Sequence, residues 1–257
     1  MLDLDLKDYD LIVVNSSGGK DSQAMLHIIA TAARDAGVLD RVIVAHAALR
    51  EEWPGTIEIV KAQAAAYGVP VEIVRRRQGD LLEHVRDRGK WPDSQARYCT
   101  SDHKRAQVDR VIRARSKDGG RVLNCLGIRA QESTARAKKP AIERNTRLST
   151  RTREVTNWFP IFRMTEAEVW ATIREAGTPS HRAYSLGMPR LSCMFCVFAP
   201  PAALMLAGRE NPELLSEYVA TERLIGHRFR MNLAIEDIAK AIAAGAKPAE
   251  EVSTWTM

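Results

Sequence analysis

Four cysteines in 257 residues are too few for a disulfide-stapled secreted scaffold. No apolar run approaches the ~20 residues that a membrane-spanning helix requires. Residues 1–10 are acidic where a secretory leader would be basic. These absences read as a cytoplasmic protein with no membrane association. Internal repeats and low-complexity tracts are also missing. With 45% hydrophobic and 27% charged residues the composition is that of a globular chain, and its length can bury a substantial core without covalent staples.

The net charge of +6 is unevenly spread. Residues 129–153 hold eight basic side chains (Arg129, Arg136, Lys138, Lys139, Arg144, Arg147, Arg151, Arg153) against Glu132 and Glu143, which accounts for the whole excess. This Ser/Thr/Arg-rich stretch has no helical or strand periodicity and reads as a mobile loop, either a solvated, solubilising one or a contact for a polyanion. Arg75, Arg76 and Arg77 form a second, shorter basic run.

Elsewhere short β-branched runs alternate with helical patterns. Strands are expected at residues 10–15, 41–45, 69–74 and 121–128, with a last extended segment at 155–162. Helices are expected at 21–35, 56–67 and 104–115. Thr165 and Glu168 make a capping box for a helix ending at Ala176. Such alternation predicts an α/β fold, a doubly wound parallel sheet with helices on both faces, followed by a helical C-terminal extension carrying Cys193-x-x-Cys196. The expected division is a nucleotide-binding domain at 1–164 and a helical region at 165–257. On the late helices Leu214, Leu215, Tyr218, Val219 and Leu224 form an apolar face that suits either a core or a homodimer seam.

Between the first strand and its helix runs Ser16-Ser17-Gly18-Gly19-Lys20-Asp21-Ser22. A doubly wound sheet places its ligand at such a junction. Paired glycines let backbone N–H groups converge on an anion, the helix N-terminus adds partial positive charge, and Lys20 neutralises phosphate. Asp21 suits either a Mg²⁺ ligand, a brace for the loop or an N-cap. The Walker pattern is absent, because Lys20 is followed by Asp and stands two residues after Gly18.

SGGKDS resembles the pyrophosphate loop of the adenine-nucleotide alpha-hydrolase superfamily, a Rossmann-like HUP-type group that includes the reductases of phosphoadenosine phosphosulfate (PAPS). The similarity continues through His46 and Glu52-Trp53-Pro54-Gly55-Thr56, Arg97-Tyr98-Cys99-Thr100-Ser101-Asp102-His103-Lys104, Gly127-Ile128-Arg129-Ala130-Gln131-Glu132-Ser133 and the segment 184–196, and departs at Ala48, where relatives commonly carry an acidic residue. The resemblance implies ATP and Mg²⁺ as cofactors and α–β cleavage to AMP and pyrophosphate. Lys20, Asp21 and Arg129 would be catalytic, and Ser16 to Ser22 with His46 and Arg129 would hold the nucleotide. Glu52, Arg97, Lys104, Glu132, Ser133, His181, Tyr184 and Arg190 are candidate substrate contacts.

Cys193 and Cys196 in a Gly/Pro-rich loop can offer two thiolates to one metal, with Cys99 as a third. Cys125, inside an apolar strand, suits packing better than ligation but remains a possible fourth. Within the resembled superfamily such a set implies a [4Fe-4S] cluster; zinc completed by His181 or His103 is the alternative. The thioredoxin-linked reductases use a cysteine on a C-terminal tail, and no cysteine follows Cys196, residues 253–257 included. The resemblance therefore points to adenylation of an oxyanion acceptor for sulfur insertion, as in DNA phosphorothioation, with DNA favoured over tRNA and a cysteine desulfurase as sulfur donor. A sulfonucleotide reductase, a tRNA thiolation enzyme and a non-catalytic, metal-bearing nucleic-acid-binding subunit are the alternatives.

Overall fold

Six strands of the computed structural model, which describes residues 4–247, form one sheet in the order β3-β2-β1-β4-β6-β5. They are β1 (Leu11–Asn15), β2 (Val42–Ala47), β3 (Val71–Val74), β4 (Gly120–Cys125), β5 (Ile142–Arg144) and β6 (Arg153–Trp158). All neighbours run parallel except β5 against β6. Alternation along the strands sorts the core into two faces. Ile12, Val14, Val42 and Val44 pack with Met25, Leu26 and Ile29 of the Lys20–Asp35 helix and Val60 of the Thr56–Ala65 helix. Val13, Ile43, Val122 and Val155 pack with Val108, Val111 and Ile112 of the Ala106–Arg115 helix. Helices thus cover both faces, as the βαβ alternation predicts.

The chain divides into two units. The first, containing the sheet, comprises the segment ending at Ala47, Gly55–Val74 and Arg105–His181. Its last helix, Glu166–Ala176, starts at the Thr165 and Glu168 capping box expected from the sequence. The second comprises Ala48–Pro54, Arg75–Lys104 and the segment from Arg182 onward. It is helical, with Leu81–Arg88, Pro201–Glu210, Pro212–Ile225 and Ile235–Ala243. Trp91 stacks on Tyr218 at 5.3 Å and meets Phe229 edge-on at its centre. The buried Glu222 carboxylate accepts backbone N–H bonds from Phe229, Ile235 and Glu236 at 2.6, 3.1 and 3.1 Å, fixing the turn into the Ile235–Ala243 helix. Leu214, Leu215, Tyr218 and Val219 belong to this core, whereas Leu224 is 71% exposed. Among the described residues no helix is long and apolar enough to cross a membrane. Residues 253–257 lie outside the described residues.

The basic segment 129–153 differs from the expected unstructured loop. It contains a short helix, Thr134–Ala137, and β5. Polar side chains hold it. Asn15 donates to Asn124 at 2.7 Å, Asn124 to Asn157 at 2.8 Å, and Asn157 to Glu143 at 3.1 Å, while Asn145 donates to Asn157 at 3.1 Å. Much of the charge is also engaged: Arg129 pairs with Asp21, Arg136 with Glu132, and Arg147 with the buried Asp109, and Arg153 donates to the Leu148 carbonyl. Lys138, Lys139, Arg144 and Arg151 are exposed.

Candidate functional site

The strand order reverses beside β1, with β2 on one side and β4 on the other, and the loop 16–19 leaves the sheet there. It is knit by its own serines. Ser16 Oγ accepts from Gly18 N at 3.2 Å, Ser17 Oγ from Gly19 N at 3.4 Å, and Ser22 Oγ donates to the Gly19 carbonyl at 2.9 Å. His46 Nδ1 lies 2.9 Å from the Ser16 carbonyl, so this buried histidine braces the loop. Gly18 has φ +73°, and a Cβ there would stand 3.1 Å from Ile59 and 3.2 Å from Thr56. Gly18→Ala is therefore expected to destabilise the protein by about 1–3 kcal/mol, read as a lower urea midpoint.

Gly19 is the N-cap of the Lys20–Asp35 helix and makes no side-chain cap hydrogen bond, and the positive end of the helix dipole lies there. Asp21 is a brace rather than that cap. One of its oxygens accepts from Arg129 Nε at 2.6 Å and the other lies 3.6 Å from Lys20 Nζ. Lys20 is also 3.6 Å from Glu166, a residue whose only signal in the sequence is its place in the first turn of a capped helix. Lys20 and Arg129 are 3% and 4% exposed, so two cations are held nearly dry beside an uncapped helix N-terminus. Behind them Glu132 accepts from Arg129 N at 3.0 Å and pairs with Arg136, and Gly127 passes so close that a Cβ would meet the Asp21 backbone at 3.3 Å. Ser133 accepts from Arg136 N at 3.2 Å and caps the Thr134–Ala137 helix. His181 Nε2 is 3.3 Å from Thr56 Oγ1. The first unit therefore gathers Ser16 to Ser22, His46 and Arg129 around one loop, with Glu132 supporting Arg129.

The remaining candidates lie in the second unit. An isolated antiparallel bridge joins Glu52 to Cys193, and Met194 N donates to the Glu51 carbonyl at 2.9 Å. Lys104 follows His103 in a π turn, Ser101–Arg105. Its ammonium is held above its ordinary range by Cys193, with Glu52, Cys196 and Cys99 adding to this against the cost of burial. Burial pushes the Cys193 thiol up to about 12, opposed by Lys104, and raises Cys196 as well. Arg97 lies over the Phe198 ring at 5.0 Å, and Tyr184 and Arg190 are half-buried.

Cys99, Cys193 and Cys196, all half-buried, are soft donors whose chemistry fits an iron–sulfur cluster or zinc, and a bound metal would supply the charge that thiolates need. Among the described residues, however, no three His, Cys, Asp or Glu side chains converge into a metal-holding group. The histidines proposed for zinc are otherwise engaged, His181 with Thr56 and His103 Nε2 with His84 Nδ1 at 3.1 Å. Cys125 belongs to β4 in the first unit's core, where burial alone raises its thiol, and it takes no part in the cysteine group.

The sequence matches the family described as phosphoadenosine phosphosulfate reductase domain over residues 11–199. An uncharacterized protein of Methanocaldococcus jannaschii is 28% identical over 80% of this chain, and an uncharacterized 37.8 kDa protein of Escherichia phage 186 is 27% identical over 69%. The chain spans only 40% and 54% of their respective lengths. Among solved structures, a variant of Candida glabrata FMN adenylyltransferase is similar in fold, with a TM-score of 0.54 at 11% identity, covering 75% of this chain and 58% of that one.

Proposed function

The chain belongs to the phosphoadenosine phosphosulfate reductase domain family, and from that membership we propose that it is an ATP pyrophosphatase which adenylates an oxyanion acceptor for sulfur insertion. The observation that carries this reading is the pair of buried cations, Lys20 and Arg129, fixed by Asp21 beside the uncapped N-terminus of the Lys20–Asp35 helix. Mg·ATP docks its β and γ phosphates on the loop 16–22, the acceptor oxygen attacks the α phosphorus, and pyrophosphate leaves. Lys20 and Arg129 offset the charge that develops on the transferring group. Sulfide, released from the persulfide of a cysteine desulfurase partner by a thiol reductant that supplies the two electrons, then displaces AMP, which departs with the acceptor oxygen. DNA phosphodiester is the favoured acceptor, and the exposed Lys138, Lys139, Arg144 and Arg151 supply a sequence-independent backbone attraction.

Anaerobic incubation with Mg·ATP, with and without DNA or tRNA, is expected to yield AMP and pyrophosphate. Sulfite released from an adenylyl sulfate with ATP untouched would replace the proposal by the reductase reading.

Cys99, Cys193 and Cys196 would hold a [4Fe-4S] cluster, which when bound supplies an iron site for sulfur chemistry. After anaerobic reconstitution with iron and sulfide, Cys99→Ser, Cys193→Ser and Cys196→Ser are each expected to lower iron per chain severalfold, while Cys125→Ser retains it. Equal iron in all four variants would refute this ligand set, and stoichiometric zinc in the purified protein would replace the cluster.

A further inference from the structure

Lys20 stands between two carboxylates. Its ammonium is 3.6 Å from Asp21 Oδ2 and 3.6 Å from Glu166 Oε1. The other oxygen of Asp21 accepts from Arg129 Nε at 2.6 Å. Two cations thus face two anions, and these four side chains sum to zero charge around a loop whose ligand is a phosphate chain. An arriving triphosphate carries several negative charges of its own, so it is attracted only as one of the carboxylates gives up its cation.

The two acids are not equally held. The Asp21 side chain is 18% exposed and is clasped by the buried Arg129, which would lose its counter-charge in a nearly dry place if Asp21 left. The Glu166 side chain is 45% exposed, and an ion pair so open to water is weak. Its backbone, by contrast, is fixed. Glu166 opens the Glu166–Ala176 helix behind the Thr165 and Glu168 box, and Val169 and Ile173 of that helix pack on Ala24 of the Lys20–Asp35 helix. Glu166 N also donates at 3.1 Å to Gln131 Oε1, which accepts from Arg129 Nη1 at 2.9 Å. The main chain is therefore anchored beside the loop, while the carboxylate is free to turn into solvent and to return.

We propose that Glu166 is the displaceable counter-anion of this loop: it neutralises Lys20 while the loop is empty, yields that cation to the β and γ phosphates, and takes it back as pyrophosphate leaves. The inference rests on the proposed docking of ATP phosphates on the loop 16–22, and it makes Glu166 a positioning residue that sets how tightly phosphate is held. A carboxylate that competes with the ligand has a signature opposite to that of a structural brace: its removal strengthens binding.

Calorimetric titration with magnesium pyrophosphate and with a non-hydrolysable ATP analogue tests it. Glu166→Gln keeps the size of the side chain and removes its charge. It is expected to bind both ligands about threefold to fivefold tighter than the wild type, with a lower KM for ATP and stronger inhibition by pyrophosphate in the same proportion. Glu166→Ala, a second neutral variant, should show the same gain, and Glu166→Asp, which restores a carboxylate, should fall back toward the wild type. Equal or weaker pyrophosphate binding in a folded neutral variant overturns the inference while leaving the proposed reaction intact. Tighter pyrophosphate binding in the neutral variants with ATP uncleaved by the wild type would defeat the proposed reaction and leave the inference standing. Absence of binding of either ligand to all four proteins defeats both.

Discussion

Lys20→Ala is expected to lower the rate of AMP and pyrophosphate formation at least about a hundredfold, the usual cost of removing one preorganised charge-stabilising donor. The residue is 3% exposed, and its ammonium lies 3.6 Å from both Asp21 and Glu166. Its removal takes away the charge aimed at the phosphates and leaves the Glu166 carboxylate beside an emptied position. The loss should fall mainly on kcat, because the charge it offsets grows as pyrophosphate departs. Arg129→Lys is a graded companion: it keeps the charge but loses the Nε bond to Asp21 at 2.6 Å, and about a tenfold loss is expected. Melting temperature and ATP binding measured on each variant separate a lost catalytic charge from a collapsed loop. Retention of more than about a tenth of wild-type activity in folded Lys20→Ala would refute phosphate cradling by this loop.

What could be read from sequence and what could not divide along a physical line. Residues Ile12-Val13-Val14 of β1 and Val42-Ile43-Val44-Ala45 of β2 are continuous apolar runs buried on both faces, and a run such as Leu11-Ile12-Val13-Val14 has few other ways to be buried. The loop 16–22 was legible for a similar reason, since Gly18 is needed by its φ of +73° and by the closeness of Ile59. β5 carries no such pattern. Its three residues, Ile142, Glu143 and Arg144, are placed by the amide chain from Asn15 through Asn124 and Asn157, and hydrophobic periodicity is blind to side-chain amides. The Leu81–Arg88 helix did carry a signal, the reciprocal box of Asp80 and Glu83 ahead of Leu81, Leu82 and Val85. Glu166 belongs to a third kind. It matters through a neighbour distant in sequence, Lys20, and local spacing cannot report such a pair.

Acidification from about pH 6.5 to 4 is expected to remove up to about 3 kcal/mol of stability through His103 alone. Burial, with Arg76 and His84 adding to it and Asp102 and Asp80 opposing, lowers this imidazole from 6.5 to about 4. His84 is lowered as well, chiefly by burial. The sign follows from the neutral form being the one the fold accepts. Above pH 6.5 folded and unfolded chains both carry neutral His103, and the stability is fully present. Below it the unfolded chain binds a proton that the folded chain refuses until about pH 4, so stability falls across that window. The geometry gives the same direction, because His103 Nε2 and His84 Nδ1 stand 3.1 Å apart and share one proton, which a second proton would turn into a repulsive contact. Urea unfolding at pH 7.5, 6 and 5, compared with His103→Asn, isolates the effect from carboxylates that titrate in both proteins. The wild type should lose stability more steeply, and parallel slopes would sink the assignment. His103 is one step from Lys104 in the same π turn, so the ring pair that fails in acid also anchors the lysine that sits among Cys193, Cys196 and Cys99. Acid release of the pair should therefore speed alkylation of those thiols before global unfolding, once reactions at each pH are corrected for the thiolate fraction.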